Sequence, residues 1–413
     1  MNVIFKEHLK INYQLTESID EFNQAALKIS YAPQPVSDEI FICRHPIIIE
    51  TDIREQIIDF YIFENEIIFF QTFHKRSLLP FDIFSLAFFL LSRYEEYLPH
   101  KKDKYERFPG TESIAYQLGF LQKPLIDIVI LKFAEKLQEA IPALKFELSQ
   151  TKYLATYDID NAYAYKHKGI IRSIGGLLKL SVSFKLKEVV DRIAVLLHLK
   201  KDPFDSYDYI RMLQEKYHLD TYYFILFSEK GKYDRGLNPR NKHFQHLIKQ
   251  LEKTGKVGIH PSFASNTNEI KLKKEISGLS SILERKIVLS RSHFLLLDFP
   301  ATYKSFIENG IEYDFTLGYA DQAGFRASTS KPFNFFDLSS NRETSLRLYP
   351  LTYMEGTLRD YMNLTEENGL ALVKELMDAV KSVNGTFVSL WHNETLGKKE
   401  CKKFYEQTLD YFF

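Results

Sequence analysis

The sequence predicts an α/β protein: a distorted (β/α) barrel of seven or eight strands over residues 151–413, preceded by a smaller α/β domain over residues 1–150. Three observations lead there. From residue 151 onward, short apolar runs alternate with helical segments, the pattern of repeated β/α units. Several of those runs end in an ionisable residue. A chain of 413 residues is also long for one compact domain, which favours two.

In the first unit, Glu39–Cys43, His45–Ile49, Phe60–Phe63 and Glu66–Phe70 are β-branched and aromatic, with polar breaks between them, and read as strands. Leu and Phe recur at helical spacing over Ile83–Tyr97, where Glu95 and Glu96 close the pattern. The polar run KKDKYERFPG after His100 is a turn by composition, and Phe120–Ala143 reads as a second helical stretch. No catalytic constellation stands out in this half, which reads as an accessory packing or substrate-rim domain.

In the second unit the expected strands are Tyr153–Tyr157, Thr221–Phe227, Val257–His260, Ile287–Ser290, Gly310–Asp314, Phe333–Leu338, Leu346–Pro350 and Thr386–Trp391. Helical patterns lie between them at Tyr207–Tyr217, Lys242–Thr254, Glu269–Glu284, Ala301–Asn309 and Glu366–Val383. An insert at about 166–205 follows the first strand. Its Lys166–Lys201 stretch carries nine basic residues against Glu188 and Asp191, and is expected to form a helical lid, with peripheral membrane contact as the lesser alternative.

Composition narrows the function classes. Lys plus Arg (54) equals Asp plus Glu (54), so there is no global field for nucleic acid. Cys43 and Cys401 are the two cysteines, and neither sits in a pair with metal-ligand spacing. The first residues, MNVIFKEHLK, lack a signal-peptide core, and no run of about 18 uncharged apolar residues occurs; a cytoplasmic protein is expected.

The strand ends carry the chemistry. Active sites of β/α barrels sit at the C-terminal ends of the strands. Here those ends read Thr156-Tyr157-Asp158-Ile159-Asp160, Gly258-Ile259-His260-Pro261-Ser262, Ser290-Arg291-Ser292-His293, Tyr313-Asp314 and Trp391-His392-Asn393. A strand-end Asp is often a turn former or helix cap, and a lone His is often structural. Asp158 and Asp160, however, lie two apart and face one side of an extended strand, which is costly unless a cation or proton lies between them. With His260 and His293 they form an Asp/His/His set for a divalent metal with open positions.

These residues resemble the polysaccharide deacetylases, carbohydrate esterase family four. TYDID is similar to the family's Thr-Phe-Asp-Asp-Gly, His260-Pro261-Ser262 meets part of its second motif, and Arg291 matches its third. Asp314 matches the acidic residue of the fourth motif, and Leu390-Trp391-His392 the Leu-His of the fifth. SRYEEYL and GFRASTS also look like bacterial chains of this kind. Two departures stand out: Ile159 splits the Asp pair, and Ala264 falls where the family's second motif-two histidine would be. His293 is the expected replacement.

The resemblance implies a metal-dependent hydrolase that removes N-acetyl groups from a sugar or polysaccharide precursor, with zinc or a similar divalent ion as cofactor. Asp160, His260 and His293 are the expected ligands and Asp158 the general base, although the two Asp roles are interchangeable on sequence alone. Arg291 would orient the base, and His392, tuned by Asp314, would protonate the leaving amine. Tyr157, Tyr163, Tyr165, Phe263, Phe294, Tyr319 and Trp391 are candidate sugar-stacking residues, and Phe325-Arg326 a candidate substrate contact. Ala264 favours one rival, an inactive carbohydrate-binding or scaffold protein on the same fold. A second rival is a barrel hydrolase acting on phosphate esters or other amides; the absence of a Gly-rich phosphate loop and of a local His-x-His pair weighs against it.

Overall fold

The computed structural model describes residues 1–168 and 186–413. The part of the basic insert between those ranges lies outside the described residues, and with it that part of the expected lid.

In the N-terminal region, helix α1 (Ile19–Gln24) precedes a parallel strand pair, β1 (Ile29–Ala32) and β2 (Ile40–Cys43). An antiparallel hairpin follows, β3 (Phe60–Phe63) with β4 (Glu66–Phe69). Helix α2 (Ile83–Leu91) is capped by Asp82, whose carboxylate accepts the backbone N–H groups of Phe84 and Ser85. α3 (Ile114–Gln117) and the longer α4 (Leu125–Ala140) complete the region. Phe69, Phe81, Phe84, Phe89, Ile130 and Phe133 are among the residues of its buried cluster, which Tyr319 joins from the distant C-terminal half.

Two expectations need correction here. His45–Ile49 is not a strand: Pro46 opens a 3-10 turn over Pro46–Ile49, since proline supplies no ladder N–H and favours a helical first turn. The helix expected over Ile83–Tyr97 ends at Leu91, because Arg93 turns left-handed (φ 55) before a 3-10 turn over Tyr94–Tyr97. Arg93 is drawn into a buried charge cluster. Its Nε donates to Glu96 and its Nη1 to the backbone carbonyl of Arg326.

The C-terminal region is built on β5 (Lys152–Ile159). After it come α5 (Leu186–Leu196), α6 (Tyr207–Tyr217), β6 (Asp220–Ile225), α7 (Lys242–Leu251), β7 (Lys256–Ile259), α8 (Glu269–Leu283), β8 (Leu289–Ser290), α9 (Ala301–Glu308) and β9 (Tyr313–Asp314). β10 (Phe333–Asp337), β11 (Arg342–Leu348), β12 (Tyr353–Met354), α10 (Glu366–Ser382), β13 (Thr386–His392) and α11 (Lys399–Phe412) follow. Asn241, Asn268 and Thr365 cap α7, α8 and α10 through their side chains.

Among the described residues these strands form one nine-stranded sheet, in the order β10-β11-β9-β8-β7-β6-β5-β13-β12, parallel throughout except for β10 against β11. The structure thus has a large, mostly parallel sheet where a barrel was expected. Within a single stretch, 342–354, residues 347–348 pair with β9 and residues 353–354 with β13.

Both faces of β5 are buried, as is usual for parallel strands. Tyr153, Ala155, Tyr157 and Ile159 pack with the helices in the largest buried cluster. Leu154 faces the other way, into a second cluster with Phe224, Phe315, Val388 and Leu390. That second cluster is the floor of the candidate site. Among the described residues, no helix is long and apolar enough to cross a membrane.

Candidate metal centre

Alternation along β5 sends Thr156, Asp158 and Asp160 to the same side as Leu154. The ladder aligns Asp158 with His392 of β13 on one side and with Phe224 of β6 on the other. One row lower, Thr156 lies between Leu390 and Tyr222. Polar groups therefore appear where the apolar inner cluster ends, at the C-terminal edge of the parallel strands.

His260 and His293 arrive from β7 and β8. Gly258 lets these strands approach, since a Cβ there would lie 2.7 Å from the Leu289 carbonyl oxygen. The backbone N–H of His293 donates to the Pro261 carbonyl (3.1 Å), which ties the two loops together. Each imidazole is oriented through Nδ1. That of His260 lies 2.5 Å from the Arg291 carbonyl oxygen, and that of His293 lies 3.0 Å from Asp234 Oδ1. Both partners are acceptors, so Nδ1 carries a proton in each ring and Nε2 is the ring atom left to face the centre.

Both Nε2 atoms face Asp160: His260 Nε2 is 3.3 Å from Oδ1 and His293 Nε2 is 3.4 Å from Oδ2. Asp160, His260 and His293 place one ligand atom each within 4.8 Å of one another. Asp160 Oδ1 is buried and makes no hydrogen bond. Lone pairs facing a carboxylate at this range repel unless a cation or additional protons lie between them. The donor set, two imidazoles and a carboxylate with open positions beside them, fits a divalent transition ion such as zinc. Without a cation there, burial pulls the His293 ring down, but the Asp160 and Asp234 charges carry it up to about 9. Burial likewise raises the Asp160 carboxyl, yet the His293 and His260 charges hold it well below the usual range.

Asp158 has a different set of partners, although its Oδ2 lies 3.6 Å from His260 Nε2. Its Oδ1 takes a 3.0 Å bond from Arg291 Nη1, which also donates to Thr156 Oγ1 at 2.7 Å. The Arg291 guanidinium is fully buried, lies 4.5 Å from the centre of the Phe224 ring, and donates through Nε to the Phe315 carbonyl. The two carboxylates of β5 thus share His260 and differ in their other partner, His293 for Asp160 and the Arg291 guanidinium for Asp158.

His392 stands opposite, its Nε2 3.8 Å from Asp160 Oδ2. Its Nδ1 and its backbone N–H both bond Glu355 Oε1, at 2.8 and 3.1 Å. Burial works against protonation, but the Glu355 charge and hydrogen bond, helped by Asp160 and Asp158, keep the ring well above its usual pKa.

Asp314 does not serve His392 as expected. Its carboxylate accepts Ser290 Oγ (2.8 Å), Thr316 Oγ1 (2.7 Å) and the Thr316 N–H (2.9 Å). In the sheet order, four strands lie between β9 and β13. Glu355, just past β12, holds the position expected for Asp314. Arg326 is not a substrate contact either, being buried against Glu96. Of the aromatic candidates, Tyr157, Tyr319 and Trp391 are buried, whereas Tyr163, Tyr165, Phe263 and Phe294 are half-buried. Ala264 is exposed in a 3-10 turn.

Sequence reasoning missed Asp234 and Glu355. Asp234 sits in the irregular segment between β6 and α7, where no periodicity marks it. Glu355 had a usable signal, an acid directly after a short strand, but that two-residue strand was itself overlooked.

Residues 1–142 match a family of unknown function, DUF7033. None of the curated proteins compared matches the chain. Among solved structures, the chain is similar to a protein from Mycobacterium smegmatis assigned as a polysaccharide deacetylase, at 12% identity and a TM-score of 0.42, over 65% of this chain and 85% of that one. It is also similar to the polysaccharide deacetylase Bc1974 from Bacillus cereus (12% identity, TM-score 0.30, 63% and 85% covered). A third, from Pseudomonas aeruginosa PAO1 and assigned to the same activity, gives 10% identity, a TM-score of 0.37, and 63% and 84% covered. These overlaps are loose.

Proposed function

We propose that this protein is a metal-dependent hydrolase that removes N-acetyl groups from a sugar or glycan precursor. The observation that carries the reading is the pair of imidazole Nε2 atoms, each fixed through Nδ1, converging on the under-bonded carboxylate of Asp160. Asp160, His260 and His293 would hold the ion. When bound, a divalent ion, zinc first among candidates, supplies Lewis acidity for the acyl carbonyl and lowers the pKa of water from 15.7 to about 7.

The remaining residues supply proton transfer. Asp158, oriented by Arg291 and Thr156, accepts the proton of the attacking water. His392, kept protonated by Glu355, donates to the amine as the C–N bond breaks. Half-buried Phe263 and Phe294 offer ring surface beside the centre for a sugar. The parallel sheet is read as a barrel, supported by the stretch 342–354 that pairs with both β9 and β13. The N-terminal region, to about residue 150, is read as an accessory domain.

The deciding experiment is elemental analysis of the purified chain and of His293→Ala, followed by acetate release from N-acetylated oligosaccharides. Near-stoichiometric zinc in the wild type, lost in the variant, together with acetate release, supports the reading. No metal after reconstitution overturns it and favours a carbohydrate-binding protein on the same fold.

A further inference from the structure

The N-terminal region reaches the candidate metal centre through the loop that carries Tyr105 and Arg107. Arg107 belongs to the polar run after His100, is buried, and donates from Nη1 to the carbonyl oxygen of Phe294 at 2.8 Å. Phe294 directly follows His293. Both it and Leu295 have left-handed backbone, φ 64 and 53. Residues with a Cβ seldom adopt that conformation, and it persists where surrounding contacts over-determine it. On the near side His293 is anchored by its N–H to Pro261 and by its ring to Asp234. On the far side the chain reverses at Phe294, and the carbonyl exposed by that reversal is the one Arg107 binds.

Arg107 is itself held in place. Asp103 Oδ2 lies 2.8 Å from its Nε and 2.7 Å from its Nη2, and Asp103 Oδ1 accepts the backbone N–H groups of Tyr105 (2.8 Å) and Arg107 (3.0 Å). The Tyr105 ring packs 5.0 Å from that of Phe294, and the Arg107 guanidinium lies 5.0 Å from the Tyr105 ring centre. A compact loop of the N-terminal region thus grips the residue after His293.

We propose that Arg107 is a positioning residue for the metal centre: by holding the Phe294 carbonyl it fixes the direction of His293 Nε2, so that metal affinity depends on the N-terminal region. This inference rests on the reading of Asp160, His260 and His293 as ligands. It also gives a physical reason why a histidine outside the two-histidine motif can serve. His293 lies on a separate loop from His260 and needs a separate brace.

The test is calorimetric titration of the full chain with Zn2+, for wild type, Arg107→Ala, Arg107→Lys, Asp103→Asn and His293→Ala, with thermal unfolding of each. Arg107→Ala is expected to bind about 10- to 100-fold more weakly, the usual consequence of removing a partner that orients a ligand. Arg107→Lys, which keeps one donor, regains part of that loss. Asp103→Asn, at a more exposed position, loses about threefold or more in the same direction. A purely structural role would lower the unfolding midpoint and leave the Kd of the folded protein unchanged. Wild-type Kd in Arg107→Ala and Asp103→Asn, alongside lost binding in His293→Ala, overturns the inference while the metal reading stands. Wild-type Kd in His293→Ala overturns the metal reading itself. Should Arg107→Ala not fold, Asp103→Asn decides alone: weaker binding supports the brace, and unchanged binding overturns it.

Discussion

One oxygen of Glu355 receives both the ring Nδ1–H and the backbone N–H of His392. A carboxylate so placed fixes the tautomer and the orientation of the imidazole and favours its charged form. Glu355→Gln should therefore shift the His392 titration to lower pH, visible by NMR of the ring protons. The alkaline limb of any acetate-release profile should move the same way, with kcat down by roughly 10²-fold or more. An unmoved His392 titration would remove Glu355 from the mechanism.

The two carboxylates of β5 separate by their partners. Asp160→Asn should abolish stoichiometric metal binding. Asp158→Asn should keep the metal and lose roughly 10²–10⁴-fold in kcat. Metal analysis and turnover on the same preparations distinguish the two, and the reverse pattern would exchange the roles left open by their spacing.

Metal binding should release protons. With His293 raised to about 9 by Asp160 and Asp234, its Nε2 is protonated at neutral pH and must lose that proton to ligate. Titration calorimetry at pH 7 in buffers of different ionisation enthalpy should show about one proton released per ion. Zero release would contradict ligation by His293.

Asp127 couples acid stability to the contact between the two regions. Its carboxylate accepts His8 Nε2, Thr329 Oγ1, and the Ser330 N–H and Oγ. Burial raises the carboxyl, but these partners bring it below its ordinary 3.8. The unfolded chain therefore binds this proton more readily than the folded one. The stabilisation is complete above pH ~4, where the unfolded carboxyl is ionised, and is lost as pH falls through the lower folded pKa. Urea midpoints for wild type should drop between pH 5 and pH 3 by more than those of Asp127→Asn.

Glu96 is buried between Arg93 and Arg326, accepting Nε of each. Glu96→Gln leaves two guanidinium groups buried with diminished compensation. It should cost about 3–5 kcal/mol in chemical denaturation, whereas substitution of the exposed Lys136–Glu139 pair should leave the denaturation midpoint nearly unchanged.

The sequence revealed the parallel strands best, because fully buried strands flanked by amphipathic helices leave a double signature. Tyr207–Tyr217 is a helix with the expected bounds, and Phe60–Phe63 is the expected strand. Aspartates two apart on a strand had to share a face, and the structure adds that their partners differ. What could not be read were contacts made across chain distance. Nothing in RSHFLL says that Phe294 will meet Arg107, or that Arg326 will be buried against Glu96 rather than facing solvent. The strand β1, the two-residue β12 and helix α11 escaped as well, the second because two residues carry no period.

Thr156, Asp158 and Asp160 share a side because β5 is extended, and Tyr157 and Ile159 occupy the other. A slip of one residue against β6 or β13 would exchange the two sets completely. It would drive carboxylates into the helix-facing core and send Tyr157 and Ile159 into the cup beneath His260. No partial version of the centre survives such an error, so bound metal per chain would count the molecules whose central strand has locked at the correct step.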